Sequence, residues 1–249
     1  MYHKFSTTES DFLTVTTQQF EEQLKYLQTA GYQFITSLEL LDFYTQNKPL
    51  PPKSVLLTFD DGGASAYTII ADLLEERGWR GHFFITTDFI GRPAFLTAPQ
   101  IRALHGRGHI IGSHSCSHPP RISHLPPARI LEEWKGSTEK LSGILGAGVN
   151  TASVPAGFYS PRVAAAAAAA GINVLFNSEP TLRVRQVEEC RVAGRFGLQQ
   201  SDPAKRAAAL ASAAPGPRFK QWAFWNAKKV VKAVGGEVWL SFRKRVLSR

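Results

Sequence analysis

The sequence predicts an α/β fold in which parallel strands are covered by helices, arranged either as a barrel or as an open sheet. Short apolar runs of strand type alternate with amphipathic, helix-type segments along most of the 249 residues. A hydrophobic content of 43% is enough for a sizeable core. Two cysteines do not make a disulfide framework, so the core must stabilise the fold.

The first predicted helix, 17–31, follows from a stripe of Phe20, Leu24 and Leu27 on one face and from Gly31 as its stop. The other helices are predicted after Thr36, at 66–77, after Thr97, at 128–145 and at 161–171. The predicted strands are 33–35, 54–59, 82–87, 109–112, 152–154, 172–176 and 190–192.

Helix starts are marked by capping residues. Thr36 with Glu39 and Thr97 with Gln100 each have the spacing of a capping box. The last helix opens at Ser160 and Pro161 and runs through seven alanines, the best helix formers, which indicates a small-residue helix packed against a sheet.

Chemistry-bearing residues follow two of the predicted strands. Asp60 and Asp61 directly follow the predicted strand 54–59, and His114 and His118 follow the predicted strand 109–112. In barrels and in open parallel sheets, ligands meet the carboxyl ends of the strands. Two imidazoles and one carboxylate can hold a divalent metal with positions left open, and the second carboxylate is then free to act as a base.

These residues carry a resemblance to the polysaccharide deacetylase, or NodB-homology, family. T-F-D-D-G at 58–62 and H-S-C-S-H at 114–118 resemble its first two motifs, and 81–87 and 106–114 resemble the text between them. The resemblance covers roughly residues 1–200. It implies a distorted (β/α) barrel that removes acetyl groups from N-acetylated sugars with a divalent metal, usually Zn²⁺.

The resemblance assigns Asp60 as the catalytic base and Asp61, His114 and His118 as the metal ligands. The third motif matches only in part, because Ser153 stands where the family has an arginine that orients the base. Downstream, N-S-E-P at 177–180 stands where an acidic partner of that arginine is expected.

We therefore expect substitute support for Asp60, and Glu179 and Arg162 are the candidates. The backbone N–H of Ala156 is a candidate oxyanion donor. Tyr159 either lines the sugar pocket or packs beside Pro161.

The family's C-terminal histidine, which protonates the leaving amine, has no counterpart here, since no histidine follows His124. The start M-Y-H-K-F resembles circularly permuted poly-N-acetylglucosamine deacetylases, and the first and last strands of a closed barrel are neighbours. His3 is therefore predicted as the general acid; the alternative is a frayed terminal histidine.

Other residues have simpler interpretations. His82, His105, His109 and His124 are predicted to be core or surface histidines, since none adjoins a strand-end acid. A nucleophilic Cys116 is disfavoured, because it would leave the paired acids without a role.

Basicity is concentrated at the C-terminus. Residues 218–249 hold nine Lys or Arg and one acid, out of a net charge of +9, interleaved with aromatic residues. The chain is divided into a barrel, 1–205, and a basic helical tail, 206–249. The tail is predicted either to lie on an anionic membrane surface or to dock on the barrel. Nucleic acid is a disfavoured partner, because the rest of the chain adds almost no positive charge.

The location expected by default is cytoplasmic, peripheral to the inner membrane if the tail binds it, since no signal segment or long apolar run is visible. A start further upstream would allow export.

The leading functional hypothesis is a metal-dependent hydrolase that deacetylates an amino-sugar glycan. Two alternatives remain. One is a catalytically impaired relative that binds glycan, which the loss of the motif-three arginine at Ser153 favours. The other is a membrane-surface accessory protein that acts through its tail.

Overall fold

The computed structural model describes residues 1–5, 14–199, 202–212 and 215–227. The strands are β1 (Lys4–Phe5), β2 (Thr14–Val15), β3 (Gln33–Phe34), β4 (Ser54–Val55), β5 (Thr58–Phe59), β6 (His82–Ile85), β7 (Ile110–Ser113), β8 (Thr151–Ser153), β9 (Val174–Phe176), β10 (Val184–Val187) and β11 (Cys190–Ala193). The helices are α1 (Thr17–Thr29), α2 (Ser37–Gln46), α3 (Ala71–Glu75), α4 (Ala98–Gly106), α5 (Pro127–Leu145), α6 (Pro161–Ala169) and α7 (Lys205–Ala211). Residues 215–227 are also helical.

The central sheet has seven strands in the order β10-β11-β9-β8-β7-β6-β5. All neighbours are parallel except β10 and β11, which pair antiparallel at one edge. The sheet curls into a half-barrel, which confirms the predicted α/β fold with parallel strands covered by helices. Its parallel strands end on one side of the molecule, and that side carries the candidate site.

The N-terminal residues span the gap between the two ends of the curled sheet. The Tyr2 N–H donates to the Thr58 carbonyl (2.9 Å) and the Asp60 N–H donates to the Tyr2 carbonyl (3.0 Å). On the other side, the Met1 carbonyl accepts from the Leu198 N–H (3.1 Å). The start of the chain therefore lies between β5 and the segment that follows β11, as the position predicted for His3 requires.

Helices cover the outside of the sheet, and they pack through small and aromatic side chains. In the poly-alanine helix α6, Ala164 and Ala167 are fully buried, as predicted for a small-residue helix. Trp134 of α5 is also fully buried, and its indole N–H donates to the Val163 carbonyl (3.2 Å), which ties α5 to α6. Both predicted capping boxes, at Thr36 and Thr97, are present.

Some predicted elements differ in detail. Strand 54–59 is two short strands, because β4 pairs with β3 whereas β5 pairs with β6. Helix 66–77 begins with a π-helical turn, Ala66–Ile70, before α3. Strand β10 was not predicted, because its central residues, Arg185 and Gln186, are polar and exposed and interrupt the apolar run that usually indicates a strand.

The C-terminal predictions are tested only in part. Residues 228–249, which hold seven of the ten Lys and Arg residues of the predicted tail 206–249, lie outside the described residues. Helix α7 begins at the predicted domain boundary and buries Ala207 and Leu210 in the main core, and the division at residue 205 stays a prediction. In the part of the chain that the structure describes, no helix has the length and apolarity needed to cross a membrane.

Candidate active site

The two adjacent aspartates point to different partners because the backbone turns between them. Asp60 continues the line of β5 and is almost completely buried. Asp61 and Gly62 then adopt consecutive left-handed conformations, with φ of 74° and 84°. A side chain at Gly62 would be strained there and would meet Ile85 at 3.2 Å. This turn directs Asp61 toward the histidines and leaves Asp60 inside the barrel.

Asp61, His114 and His118 form the predicted cluster, with one ligand atom from each residue lying within 4.8 Å of the others. Asp61 Oδ1 is 3.3 Å from His114 Nε2 and 3.5 Å from His118 Nε2. The carboxylate is partly exposed, so the cluster is reached from solvent.

His114 is oriented by the neighbouring strand β8. Its Nδ1 lies 2.9 Å from the Ser153 carbonyl and donates to it, so Nε2 is the ring nitrogen that faces Asp61. Burial alone would lower the pKa of His114, but the negative charges of Asp60 and Asp61 outweigh burial and raise it.

The loop that carries both histidines is anchored by a buried carboxylate from α5. Glu133 accepts hydrogen bonds from the backbone N–H of Cys116 (3.0 Å), the backbone N–H of Ser117 (2.9 Å) and the hydroxyl of Ser117 (2.7 Å). His118 has a φ of 54°, so its placement depends on a loop held in a specific conformation.

Asp60 is held by Arg195, which follows β11. The guanidinium donates from Nη1 to Asp60 Oδ1 and from Nη2 to Asp60 Oδ2, each at 2.8 Å. Ser153 Oγ lies between the two groups, 3.1 Å from Asp60 Oδ2 and 2.7 Å from Arg195 Nη2. The guanidinium also packs over the rings of Phe84 and Phe176, which restricts its motion.

This environment keeps Asp60 ionised. Burial would raise the pKa of Asp60, but the charge and hydrogen bonds of Arg195, with the nearby His114 and His3, hold it well below its usual range. Asp60 is therefore unprotonated, which is the form that a general base requires.

The substitute support predicted for Asp60 was wrong in its residues. Glu179 pairs with Arg185 (3.3 Å), and Arg162 donates to the Ser123 carbonyl (3.3 Å). Arg195 binds Asp60 instead, and it follows β11 rather than β8. Its position three residues after the predicted strand 190–192, close to a carboxyl end, was the signal that could have indicated it.

His3 lies beside this pair. Its Nε2 is 3.9 Å from Asp60 Oδ2, and its side chain is partly exposed. Burial lowers the pKa of His3, and the carboxylates of Asp60 and Asp61 oppose that effect. The structure therefore brings together His3, Asp60 and the cluster, as predicted from the sequence.

The other predicted residues lie around this centre. Ala156 is in a left-handed conformation (φ 52°) just after β8, and Tyr159 lines an adjoining cleft. Cys116 has its thiol 4.0 Å from the Glu132 carbonyl on α5. His82 and His109 are buried at the opposite end of the sheet, and His105 and His124 are exposed.

The cluster fits a divalent cation. It offers one carboxylate oxygen and two imidazole nitrogens, which suits Zn²⁺ among other metals, and the backbone fixes the outward-facing nitrogen of His114. Asp60 stands outside the cluster and is held by Arg195, so a buried, ionised carboxylate lies beside three side chains of the types that bind divalent metals. The family model described as polysaccharide deacetylase matches residues 47–175, just over half of the chain. The chain belongs to the polysaccharide deacetylase family.

Similar proteins agree with this family. The YxkH protein of Bacillus subtilis, which carries a polysaccharide deacetylase name, is 30% identical over 180 residues, 72% of this chain and 63% of its own. The poly-beta-1,6-N-acetyl-D-glucosamine N-deacetylase of Escherichia coli is 34% identical over 83 residues, 33% of this chain and 12% of its own. This chain therefore spans less than two thirds of the length of either relative.

A solved structure shows the same fold. The deacetylase PplD of Streptococcus pyogenes, in complex with acetate, superposes with a TM-score of 0.75 at 20% identity, covering 85% of this chain and 96% of that one.

Proposed function

We propose that this protein is a metal-dependent hydrolase that removes the N-acetyl group from an amino sugar within a glycan. The observation that carries the proposal is the pairing of the ionised, Arg195-held Asp60 with the Asp61–His114–His118 cluster at one end of the half-barrel. The names of the relatives, which include a poly-N-acetylglucosamine deacetylase, support the substrate class.

The residues divide the reaction between them. Asp61, His114 and His118 would hold the cation, which supplies Lewis acidity toward a water and the acetamide carbonyl. Asp60 accepts the proton of the attacking water, with Arg195 and Ser153 fixing the direction of its carboxylate. The Ala156 N–H, which lies just after β8, would donate a hydrogen bond to the carbonyl oxygen as that oxygen gains negative charge.

Collapse of the tetrahedral intermediate breaks the C–N bond, and the departing nitrogen needs a proton. We assign that proton to His3, whose Nε2 lies 3.9 Å from Asp60 Oδ2. The N-terminal segment that carries His3 lies on one side of β5, and β6 lies on the other. The products are acetate and a free amine on the sugar.

The glycan-binding alternative loses its main support. It rested on the missing arginine at Ser153, and Arg195 supplies a bidentate guanidinium to the same carboxylate. Membrane attachment through the tail stays a prediction, which equal binding to neutral and anionic vesicles would contradict.

The test is acetate release from N-acetylglucosamine oligomers by the zinc-loaded protein. We expect Asp60→Asn to lower the rate of acetate release by about 10²–10⁴-fold, because it removes the base. Zinc should be retained, because Asp60 is not part of the cluster. His3→Ala should lower turnover with zinc retained. The control is Asp42→Asn, which makes the same substitution as Asp60→Asn at a surface position and should change neither acetate release nor zinc occupancy. Full zinc occupancy without acetate from any N-acetylated oligomer would overturn the proposal in favour of glycan binding.

A further inference from the structure

A cleft of about 800 Å³ adjoins the site on the same side of the sheet. Its wall includes Gly157, one residue after the candidate oxyanion donor Ala156, and Asn177, which directly follows β9. Arg195 Nε donates to the Asn177 carbonyl (3.1 Å), and the same guanidinium holds Asp60. A glycan with one sugar at the cluster can therefore extend a neighbouring sugar into this cleft.

The side-chain amide of Asn177 supplies a donor in the wall of the cleft. Asn177 is only 4% exposed, and its Oδ1 accepts from the Glu179 N–H (2.9 Å), which fixes the orientation of the amide. Nδ2 has no acceptor among the described residues, and it is not one of the unpartnered polar atoms that the protein encloses completely. Because Asn177 lines the cleft, its two N–H groups open into that space.

The loop that carries Asn177 is held by close backbone packing at two glycines. A side chain at Gly194 would clash with the Glu179 carbonyl oxygen, and a Cβ at Gly157 would lie 3.0 Å from the Ser178 Cβ. The loop after β9 therefore has little room to move. A donor that is fixed before binding loses little conformational entropy when it meets its acceptor.

The donor limits what can fill this part of the cleft. An amide nitrogen donates and cannot accept, so the sugar must present an acceptor to it. An N-acetylated sugar offers the carbonyl oxygen of its acetamide. After deacetylation the same position carries an amine, which in its protonated form only donates, so Nδ2 would stay in a nearly buried wall without an acceptor.

A tyrosine provides apolar contact in the same cleft. Tyr159 is partly exposed to the cleft, and it packs against the core cluster that contains Trp134 and Val163. An aromatic ring offers apolar surface to the C–H groups of a sugar. Binding sites for small ligands combine such apolar contact with a few precisely placed polar groups, and Asn177 Nδ2 is a placed group of this kind.

We propose that Asn177 determines substrate specificity by donating from Nδ2 to the acetamide carbonyl of the sugar next to the one that is deacetylated. The inference rests on the proposed function and narrows its substrate class to glycans in which two successive sugars are N-acetylated. It also defines the product. Each deacetylation makes one adjacent sugar a poorer substrate, so free amines should be spaced along the glycan and should not form blocks.

Binding of three trisaccharides tests the proposal directly. The adjacent trimer carries acetamides on two neighbouring sugars and an amine on the third. The separated trimer has the amine on the middle sugar, so its composition and charge are the same, and the third trimer has a hydroxyl in place of that middle amine. Each is made with β-1,4 and with β-1,6 linkage and is titrated by NMR into the zinc-loaded Asp60→Asn protein, which leaves the ligand intact.

We expect the adjacent trimer to bind about tenfold more tightly than the separated trimer in at least one linkage, because only the adjacent trimer can place one acetamide at the cluster and the next at Asn177. The hydroxyl trimer should also bind more weakly than the adjacent trimer. Equal or absent binding of the adjacent and separated trimers in both linkages would overturn the inference. A hydroxyl trimer that matches the adjacent trimer would overturn the assignment of the acetamide.

Variants at the two ends of β9 assign the effect to one side chain. Asn177→Asp, made in the Asp60→Asn protein, keeps an oxygen for the Glu179 N–H but replaces the donor with an acceptor. It should bind the separated trimer at least as tightly as the adjacent one. Asn173→Asp makes the same substitution just before β9, at the opposite end of the strand, and should keep the preference. A preference that survives in Asn177→Asp would refute the role of Asn177.

The two proposals fail separately. Acetate release from the trimers together with equal binding of the adjacent and separated trimers refutes only the role of Asn177. A preference for the adjacent trimer that depends on Asn177, without acetate release from any trimer by the protein with Asp60 intact, refutes only the hydrolase.

Discussion

The amino and carboxyl ends of the central sheet both bury histidines, but they use the ring nitrogens in opposite ways. At the amino end, His82 Nε2 accepts from the Ser37 N–H (2.8 Å), and His109 Nδ1 accepts from the Gly81 N–H (3.1 Å). At the carboxyl end, His114 Nδ1 faces a carbonyl, so its Nε2 lone pair remains available beside Asp61.

The hydrogen-bond partner therefore decides the role of each ring. Both His82 and His114 place Nδ1 against a backbone carbonyl, but a backbone N–H occupies the second nitrogen of His82, whereas the second nitrogen of His114 faces Asp61 and can bind a metal. We expect changes at the carboxyl end to reduce catalysis or metal binding, and changes at the amino end to alter stability.

The largest effect is expected from Arg195→Met. It leaves Asp60 buried without its cation, which costs about 3–5 kcal/mol of stability when one partner of a buried pair is removed. Misdirection of the base should lower kcat by roughly 100-fold. Because Arg195 holds the pKa of Asp60 low, the acidic limb of the kcat–pH profile should move to higher pH. Zinc affinity should hold, since Arg195 does not contact the cluster.

Two further variants sharpen this prediction. Arg191→Met, on β11 itself, removes a cation near Tyr44 and should keep wild-type kinetics. Exchange of the two positions, Ser153→Arg with Arg195→Ser, places the guanidinium where the family pattern has it and should restore part of the activity. An unchanged acidic limb in Arg195→Met would show that Arg195 does not set the protonation of Asp60.

The second prediction concerns the amino end. The pKa of His82 is lowered to about 4 by burial, so between pH 6.5 and 4 the unfolded chain binds a proton that the folded chain excludes. The free energy of unfolding should therefore fall as the pH drops through this window, by about 3 kcal/mol, since each pKa unit corresponds to 1.36 kcal/mol.

His82→Gln should flatten that slope, because an amide can both accept from Ser37 and donate to Leu57 without titrating. His105→Gln, at an exposed position, should leave the slope unchanged. Denaturant unfolding between pH 4 and 7 measures the effect, and an equal slope in all three proteins would contradict it.

Much of this organisation could be predicted from the sequence, because it depends on local signals. The strand ends at Asp60 and His114 follow from apolar runs that stop at polar residues, and the Thr36 cap follows from a three-residue spacing. The position of His3 required only the closure of a barrel.

The position of Arg195 after a predicted strand places it at the carboxyl end of the sheet, but its pairing with Asp60 joins residues 135 positions apart and has no local signal. The family pattern also predicts the supporting arginine on β8, but that position is Ser153, which contributes only a hydroxyl beside Asp60. The role of Glu133 was missed for a similar reason. A glutamate within an amphipathic helix indicates an exposed face, whereas this one is buried by a loop that binds to it.

The smallest effect is expected from Glu133, and it separates orientation from catalysis at the carboxyl end. Glu133→Leu removes the three hydrogen bonds that Glu133 accepts from the loop between His114 and His118, so zinc affinity should weaken by about 10–100-fold, as for other groups that orient metal ligands. Glu133→Gln keeps an oxygen for the two backbone N–H groups and should weaken zinc binding only a few-fold. Glu132→Leu, the same change on the exposed face of α5, should have no effect. Competition with a chromophoric chelator measures all three affinities. If Glu133→Leu binds zinc as the wild type does, the loop keeps its conformation without the carboxylate. Its other hydrogen bonds then suffice to place His118: the His118 N–H donates to Ser115 Oγ (3.0 Å), and the Thr87 and Asp88 N–H groups donate to the Ser115 and Cys116 carbonyls.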